Sequence, residues 1–272
     1  MTLEKGYLSF DPVAGDYDWT RYLPPEAQEQ AARLLREEAG LSEGQILLDA
    51  GTGTGRFSLP LARLGVPVIG LDVSEKMLSQ QRLKVAQDAA GEALPLRVAR
   101  ADLRALPLGS GAVGAALMVH ILHLIADWKR VLAEIRRALA PGGVLLLAQE
   151  GGARQFPTRR FYTELARDRG LDRTRIGSQS VEETVAYLRA QGARVERVDR
   201  DRVQWRLRTP VAKTIEALRR RSWSGLWTVP EEENAELVAR TEAWARQTYG
   251  SLEGFEESEA QLIAWAARWP SV

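Results

Sequence analysis

The sequence predicts an α/β protein built on a doubly wound, mostly parallel β-sheet, and two observations support this. Five short apolar runs, each typical of a strand buried on both faces, alternate with stretches of helical periodicity over residues 45–150. A glycine-rich turn follows the first run directly. Because crossovers between parallel strands are right-handed, the intervening helices are expected to cover both faces of the sheet.

The elements of this core can be taken in order. Pro24 and Pro25 predict the start of a helix that ends near Ala39, because proline suits a helix's first turn and Gly40 suits its end. The predicted strands are Gln45–Asp49, Val68–Asp72, Leu96–Ala101, Ala112–Val119 and Val144–Gln149. The predicted helices between them are Arg56–Leu64, Ser74 to about Ala90, and Asp127–Leu139.

After Glu150 the alternation weakens. Helices are predicted near Pro157–Arg169, Val181–Gln191, Val211–Arg220 and Glu231–Tyr249, and strands at Arg194–Leu207 and Gln261–Trp269. We therefore expect residues 1–150 to form an N-terminal cap segment and a ligand-binding core. Residues 151–272 are expected to form a helical substrate lobe (about 151–193 and 209–254) and the last two core strands (about 194–207 and 261–269).

Composition narrows the class of protein. The chain has 272 residues, a formal net charge of +1 and no cysteine, so disulfides, thiolate metal sites and cysteine nucleophiles are excluded. No apolar run is long enough to cross a bilayer, and the N-terminus lacks the apolar segment of a signal peptide. We therefore expect a cytoplasmic protein with no membrane partner.

Charge is unevenly distributed along the chain. Residues 151–221 carry 18 basic side chains, almost all arginine, and nine acidic ones, whereas residues 222–272 carry three basic and nine acidic ones. One interpretation of the arginine-rich block at residues 151–221 is a solvated surface whose positive charge is offset by the acidic tail. The alternative is a site for an anionic substrate or for RNA.

The strongest motif is the turn in Ile46–Arg56, which reads ILLDAGTGTGR. Alternating glycines after a strand let the backbone approach a ligand that any Cβ would push away. The turn lacks the Gly-Lys-Ser/Thr ending of a phosphate-binding loop, and its G-x-G-x-G spacing differs from the dinucleotide fingerprint. Asp49, two residues before the first glycine, would repel a pyrophosphate but attract a cationic aminoacyl group.

Two further acids follow strands of the same sheet. Asp72 closes the second strand and lies where an acid can accept hydrogen bonds from both ribose hydroxyls of a nucleoside. Asp102 follows the third strand and can accept from an adenine amino group. Together with the turn, these acids indicate an adenosyl cofactor that has a cationic tail and no phosphates.

The order of these motifs resembles the class I S-adenosylmethionine-dependent methyltransferases. The chain has DxGxGxG at residues 49–55, an acid-ended second strand, Asp102 within ADLRALPL at residues 101–108, and the turn Pro141-Gly142-Gly143. Within that family it is most similar to the small-molecule (type 11) branch that includes ubiquinone-biosynthesis methyltransferases. The resemblance implies a Rossmann-like sheet of seven strands with an antiparallel last strand, S-adenosylmethionine as cofactor, and a small-molecule acceptor.

The resemblance also implies a set of cofactor-binding residues. They are Tyr17, Arg21, Asp49, Ala50, Gly51, Gly53, Asp72, Val73, Met77, Asp102, Leu103 and Val119. Gly51 and Gly53 would lie against the methionine part, with Asp49 near its amino group. Asp72 would hold the ribose hydroxyls and Asp102 the adenine amino group.

The apolar members Val73 and Met77 would pack on the adenine, with Leu103 beside it. Val119 would face the methionine moiety and the acceptor. Tyr17 and Arg21 are the expected contributors from the segment before the first long helix.

His120 and His123 are the chain's two histidines. Both are expected at the opening of the crevice, and His120 is the candidate catalytic residue. It either acts as a general base for an oxygen or nitrogen acceptor or forms part of the pocket wall. No third residue suggests itself as a ligand for a two-histidine metal site, so no metal is expected.

The sequence shows no obvious catalytic dyad. Methyl transfer depends more on aligning the reactants and excluding water than on such a dyad, so this observation is compatible with the activity. The alternatives are an RNA or protein methyltransferase that uses the arginine-rich block, a nicotinamide-dependent oxidoreductase, and a binding module without turnover. Strand four ends in Met118-Val119-His120-Ile121 and not in the Asn/Asp-Pro-Pro-Tyr of amino-directed DNA methyltransferases, which makes nucleic acid a less favoured substrate. The sequence leaves the oligomeric state open.

Overall fold

A computed structural model describes residues 6–15, 17–88, 93–151, 156–171, 175–198 and 203–270. These residues form one eight-stranded sheet with helices on both faces. The strands are β1 (Leu47–Ala50), β2 (Val68–Asp72), β3 (Leu96–Arg100), β4 (Val113–Val119), β5 (Leu139–Gly151), β6 (Arg194–Val198), β7 (Gln204–Pro210) and β8 (Phe255–Arg268). The helices are α1 (Tyr17–Thr20), α2 (Pro25–Ala39), α3 (Ser58–Arg63), α4 (Glu75–Gln87), α5 (Trp128–Ala138), α6 (Pro157–Asp168), α7 (Val181–Ala190), α8 (Val211–Arg219) and α9 (Glu231–Tyr249).

The strand order confirms the predicted sheet class. It is β3-β2-β1-β4-β5-β8-β6, with β7 also paired to β8. The five strands β1 to β5 pair in parallel, and β8 runs antiparallel to β5, β6 and β7. The chain order reverses on either side of β1, so the carboxyl ends of β1 and β4 border a topological switch point, where doubly wound sheets bind ligands.

Alternation along the buried strands divides the core into two layers. In β4, Ala115 and Leu117 pack with α2 and α3, whereas Ala116 and Met118 pack with α5 and α7. Successive strand residues point to opposite faces, so a continuous apolar run is needed when helices cover both faces. Gly40 ends α2 in a left-handed conformation with φ of 54°, as its position in the sequence predicts.

The second half of the chain departs from the predicted elements in two places. The strand predicted at Arg194–Leu207 is two strands, β6 and β7, which pair with different halves of the long strand β8; residues 199–202 lie outside the described residues. Helix α7 packs its Val185 and Leu188 on the sheet, so it belongs to the core and not to the helical lobe. The lobe's own apolar cluster joins α6, α8 and α9.

The turn at residues 141–143 lies within β5, where the pairing of β5 with β4 is irregular. The register with β4 jumps there from Val113–Leu139 to Ala115–Val144, which leaves the intervening residues of β5 unpaired. The extra residues let the parallel pairing resume after the turn. Within the described ranges, no helix combines the length and the apolar character that crossing a bilayer requires.

Candidate active site

The glycine-rich turn lies between β1 and α3, at the switch point. Gly51 and Gly55 adopt φ of 84° and Gly53 adopts 57°, conformations that side chains with a Cβ rarely tolerate. The N–H groups of Gly51 and Thr52 both donate to the carbonyl of Leu71 in β2, at 2.8 and 3.0 Å. The turn is therefore folded tightly against the end of the neighbouring strand.

Asp72, the last residue of β2, holds the turn in place. Its carboxylate accepts hydrogen bonds from the backbone N–H of Gly53 at 2.9 Å and from that of Ser74 at 2.8 Å. Ser74 caps α4, because its hydroxyl accepts from the N–H of Met77 at 3.1 Å. Burial raises the pKa of Asp72, while these backbone N–H groups oppose the increase.

Asp49 lies inside the sheet, at 3% exposure. Burial raises the pKa of its carboxyl group to about 7, against the hydrogen bonds from Thr52 and Ser58 that favour the charged form. The nearby charge of Asp72 acts in the same direction as burial. Because this pKa is near 7, a cationic partner would stabilise the charged form of the carboxyl group. The amino group expected beside Asp49 would be such a partner.

Asp102 follows β3 and is bound by its neighbour Arg104, whose guanidinium donates to both carboxylate oxygens at 2.7–3.1 Å. These hydrogen bonds hold the pKa of Asp102 below its usual range. Asp102 and Arg104 therefore form an ion pair at the edge of the crevice. Any hydrogen bond from a ligand to Asp102 would be shared with this guanidinium.

The structure brings five predicted residues together around one narrow cleft. Its lining comprises Gly51, Asp72, Val73, Asp102, Leu103, Tyr7, Leu8, Ile121, Leu124 and Ile125. The cleft has a volume of about 30 Å³. Ile121 closes it, since a Cβ added to Gly51 would lie 2.9 Å from the Cγ1 of Ile121.

An N-terminal cover lies over this crevice, and we use that name for residues 6–15 and 17–24. Ser74 Oγ donates to Asp11, and Thr54 Oγ1 donates to Asp18 at 2.6 Å, so both ends of the crevice are bound to the cover. Lys84 of α4 pairs with the same Asp18 at 2.5 Å. These contacts place the cover directly on the glycine turn and on the N-terminus of α4.

A larger cavity of about 510 Å³ adjoins the cleft, and both include Ile121 in their lining. Tyr17 and Arg21 of the cover and His120 at the end of β4 line it. The lobe closes it from the other direction with the segment around Ser224. Phe10 joins the cover to the lobe, because its ring meets that of Trp227 edge-on at 4.7 Å.

His120 has an unusual backbone conformation, with φ of 50°. Its Nε2 accepts a 2.7 Å hydrogen bond from the backbone N–H of Glu150, so the proton of the neutral ring is on Nδ1. The Glu150 side chain, 1% exposed, pairs with the buried guanidinium of Arg56. His120 is thus tied to a buried ion pair at the cavity wall.

His123 also lines the larger cavity. Burial lowers the pKa of its imidazole to about 4, and the positive charges of Arg175 and Arg21 act in the same direction. The ring is therefore neutral at pH 7. The predicted pair of histidines lies in one cavity, but with different surroundings.

Five predicted residues lie outside both linings. Met77 is buried, with its Cε 3.3 Å from where a Cβ on Gly53 would be. Val119 packs against the apolar layer that contains α2, and Ala50 is fully buried in β1. Asp49 and Gly53 lie directly beside the cleft without lining it, as parts of β1 and the turn.

Sequence reasoning missed several lining residues. Tyr7, Leu8 and Ile121 close the cleft, and Arg159 and Arg175 line the cavity. The excess of arginine after residue 150 was the one available signal for the last two. No local pattern distinguishes them from the arginines around them.

Comparisons with known proteins agree with this geometry. Residues 48–147 match the family described as "Methyltransferase domain". A demethylmenaquinone methyltransferase of Renibacterium salmoninarum is 33% identical over 158 residues, which are 57% of this chain and 62% of that protein. A ubiquinone biosynthesis O-methyltransferase of Caulobacter sp. is 36% identical over 124 residues, 44% of this chain and 48% of that protein. The chain thus spans less than two thirds of the length of these relatives.

A solved structure supports the fold over a greater length. The YcgJ protein of Bacillus subtilis superposes with a TM-score of 0.59 at 17% identity, covering 89% of this chain and 99% of that one. This likeness covers more of the chain than the matched domain does, and it is a likeness of fold alone. Residues 48–147 are therefore a methyltransferase domain, as the motifs predict.

Proposed function

We propose that the protein transfers a methyl group from S-adenosylmethionine to a small-molecule acceptor. One observation carries this proposal: the cleft that contains Gly51, Asp72 and Asp102 opens beside a cavity large enough for a small substrate. A volume of about 510 Å³ is within the usual range of small-molecule sites. The donor and the acceptor would then meet near Ile121, which belongs to both linings.

The residues present fit the cofactor in chemistry. Gly51 offers a surface without a Cβ, Asp49 offers a buried carboxylate to a cation, and Asp72 offers acceptors to ribose hydroxyls. The cleft is too narrow for an adenosyl group as it stands. We therefore propose that Ile121 and the cover residues Tyr7 and Leu8 move aside when the cofactor binds.

When bound, the cofactor supplies a sulfonium whose methyl group is already electrophilic. The chain's own contribution is to hold the acceptor in line and to exclude water. The cover and the lobe enclose the cavity through the contact of Phe10 with Trp227. His120 is proposed as a wall residue that positions the acceptor, because its Nε2 is bound by the N–H of Glu150.

A small acceptor is favoured over RNA for a structural reason as well. Arginines of the block at residues 151–221 pair with acids on the surface, such as Arg219 with Glu242 at 2.8 Å and Arg206 with Glu259 at 3.2 Å. Phosphate contacts would have to break these pairs. The relatives are named for demethylmenaquinone and for ubiquinone biosynthesis, and small-molecule acceptors are proposed here by that likeness.

Titration calorimetry with S-adenosylhomocysteine tests the cofactor assignment. We expect binding in the micromolar range, and a loss of about tenfold or more in Asp72→Asn, because hydrogen bonds to a charged group contribute about 1.5–3 kcal/mol. Asp88→Asn, which changes an acid paired with Arg63 on the surface, serves as the control and should bind normally. No binding by the wild type, together with fluorescence changes on adding NADH, would overturn the proposal in favour of a nicotinamide enzyme.

A further inference from the structure

A polar side chain occupies a core position of α4, directly behind the glycine turn. Gln81 is fully buried and shares the buried face of α4 with Met77 and Leu78. A Cβ added to Gly55 would lie 2.8 Å from the Cγ of Gln81, so this side chain packs against the backbone of the turn. Burying an amide costs free energy unless hydrogen bonds compensate for it.

The amide of Gln81 donates to two buried hydroxyl groups of the turn region. Its Nε2 lies 3.2 Å from Oγ1 of Thr52 and 2.8 Å from Oγ of Ser58, the first residue of α3. The two hydroxyl oxygens are 2.8 Å from each other. An amide nitrogen can only donate, so both hydroxyl oxygens accept from Gln81.

The hydroxyl protons of Thr52 and Ser58 are thereby left for Asp49. Burial raises the pKa of Asp49, and hydrogen bonds from both hydroxyls act in the opposite direction. Without the amide of Gln81, the two hydroxyls could bond to each other, and one hydrogen bond to the carboxylate would be lost. Gln81 therefore acts on Asp49 through the two hydroxyls.

Charged groups also lie near this network. Burial is the main reason for the raised pKa of Asp49, and the charge of Asp72 in β2 adds to it. Lys84 of α4 donates to the carbonyl of Thr54 at 3.0 Å and pairs with Asp18 of the cover. None of these contacts involves the buried amide, so a change at that position leaves them in place.

We propose that Gln81 is a positioning residue for the cofactor, which through Thr52 and Ser58 keeps the carboxylate of Asp49 charged and oriented toward the amino group of S-adenosylmethionine. This inference rests on the proposed function, in which Asp49 serves that amino group. It adds a residue of α4 that the motifs do not single out.

Calorimetric titration of the full chain with S-adenosylhomocysteine between pH 6 and pH 8 tests this role. The affinity of the wild type should rise with pH and level off above about 7, where Asp49 is ionised before the ligand binds. In Gln81→Met the rise should be displaced upward by about one pH unit, because the carboxylate has lost one hydrogen bond. The variant should bind about tenfold more weakly at pH 6 and within about twofold of the wild type at pH 8. Ionisation of the ligand is common to both proteins and cancels from the ratio.

A pair of variants at Thr52 tests the route of the effect. Thr52→Val removes the hydroxyl and should show the displaced pH profile, whereas Thr52→Ser keeps a hydroxyl and should restore the wild-type profile. Adding Gln81→Met to Thr52→Val should displace the profile no further, because the hydroxyl of Ser58 then has no second hydroxyl to donate to. Gln87→Met, the same change at an exposed position of α4, is the matched control and should keep the wild-type profile.

The Gln81→Met protein should fold. Oε1 of Gln81 is buried without a hydrogen-bond partner in the described part of the chain, and the substitution removes that unpaired acceptor. Gln81→Leu provides a second apolar variant if methionine is not tolerated.

A loss of affinity in Gln81→Met that is equal at every pH would show that this side chain only packs against the turn, and would overturn the inference. An unchanged affinity, or a wild-type profile in Thr52→Val, would also overturn it. Failure of S-adenosylhomocysteine to bind the wild type at any pH would instead reject the proposed function itself. The pH dependence of urea unfolding, which needs no ligand, would then still report whether Gln81 acts on Asp49.

Discussion

The backbone N–H of Glu150 donates a 2.7 Å hydrogen bond to Nε2 of His120, and this contact joins the carboxyl ends of two neighbouring strands. His120 follows β4 in a left-handed conformation, which costs on the order of 1–3 kcal/mol for a residue other than glycine. The surrounding structure therefore holds the His120 ring at the cavity wall, and the left-handed backbone lowers the free energy of unfolding. Conformations of this kind are concentrated at functional sites.

The role of His120 can be tested with two substitutions. His120→Asn should retain cofactor affinity and most of the methyl transfer, because asparagine tolerates the left-handed region and its amide oxygen can accept from Glu150. His120→Ala leaves that N–H without its acceptor and should cost about 1–3 kcal/mol of unfolding free energy. The rate at which S-adenosylhomocysteine is formed during turnover measures methyl transfer, and denaturant unfolding measures the free energy of unfolding.

A general-base role for His120 makes a different prediction. His120→Asn would then lose about 10²–10⁴-fold in turnover, and the limb of the pH–rate profile that reports the imidazole would disappear. That result would contradict the positioning role proposed here.

Gly51 should be intolerant of any side chain. Gly51→Ala places a Cβ at φ of 84° and 2.9 Å from Ile121, so we expect a loss of about 1–2 kcal/mol in stability and loss of cofactor binding. Gly65→Ala is the matched control, because Gly65 has φ of 79° with open space around it. It should lose similar backbone stability and bind S-adenosylhomocysteine normally. Normal binding by Gly51→Ala would rule out close approach of the cofactor to this turn.

The raised pKa of Asp49 predicts a pH dependence of stability. Its carboxyl titrates at about 7 in the folded protein, against 3.8 as the reference value. Between these values the folded state retains a proton that the unfolded state has lost, so stability falls as pH rises, by up to about 1.4 kcal/mol per unit. Above pH 7 this effect reaches its limit.

Asp49→Asn does not titrate, so its stability relative to the wild type should increase from pH 5 to pH 7 and then level off. Urea unfolding of both proteins at several pH values measures the difference. Binding of a cationic aminoacyl group should also release a proton near pH 7, visible as a dependence of the binding enthalpy on buffer ionisation. A stability difference that is constant with pH would show that Asp49 is ionised throughout.

The contact of Phe10 with Trp227 should control ligand exchange. A double-mutant cycle with Phe10→Leu and Trp227→Leu is expected to give a coupling of about 0.5–1.5 kcal/mol, the usual range for aromatic pairs. Phe10→Leu should also speed dissociation of S-adenosylhomocysteine in stopped-flow measurements, because it loosens the closure of cover and lobe. Phe161→Leu, which disrupts the stacked pair with Trp244 inside the lobe, should reduce stability without changing that rate. Equal dissociation rates of S-adenosylhomocysteine from the wild type and from Phe10→Leu would show that this contact does not control ligand exchange.

Local patterns were sufficient to predict much of the core. The apolar runs of β1, β2 and β4 and the end of α2 at Gly40 follow from periodicity and from glycine's conformational freedom. Helix α9 begins and ends where its pattern predicts. The division of residues 194–207 into β6 and β7 was not predictable locally, because it depends on the length of β8, some fifty residues later.

The sheet, the glycine turn and the acids at the ends of β1, β2 and β3 could be predicted from the sequence alone, because these features depend on the spacing of residues along short segments. The residues that close the cleft and those that line the cavity became known from the folded structure. Ile121 meets Gly51 and Phe10 meets Trp227 across segments that are far apart in the chain. Two arginines of the arginine-rich block, Arg159 and Arg175, line the cavity because the fold brings their segments there. The physical reason is that burial and charge pairing are properties of the packed molecule, and an arginine's sequence neighbours do not reveal whether an acid or a cavity will face it.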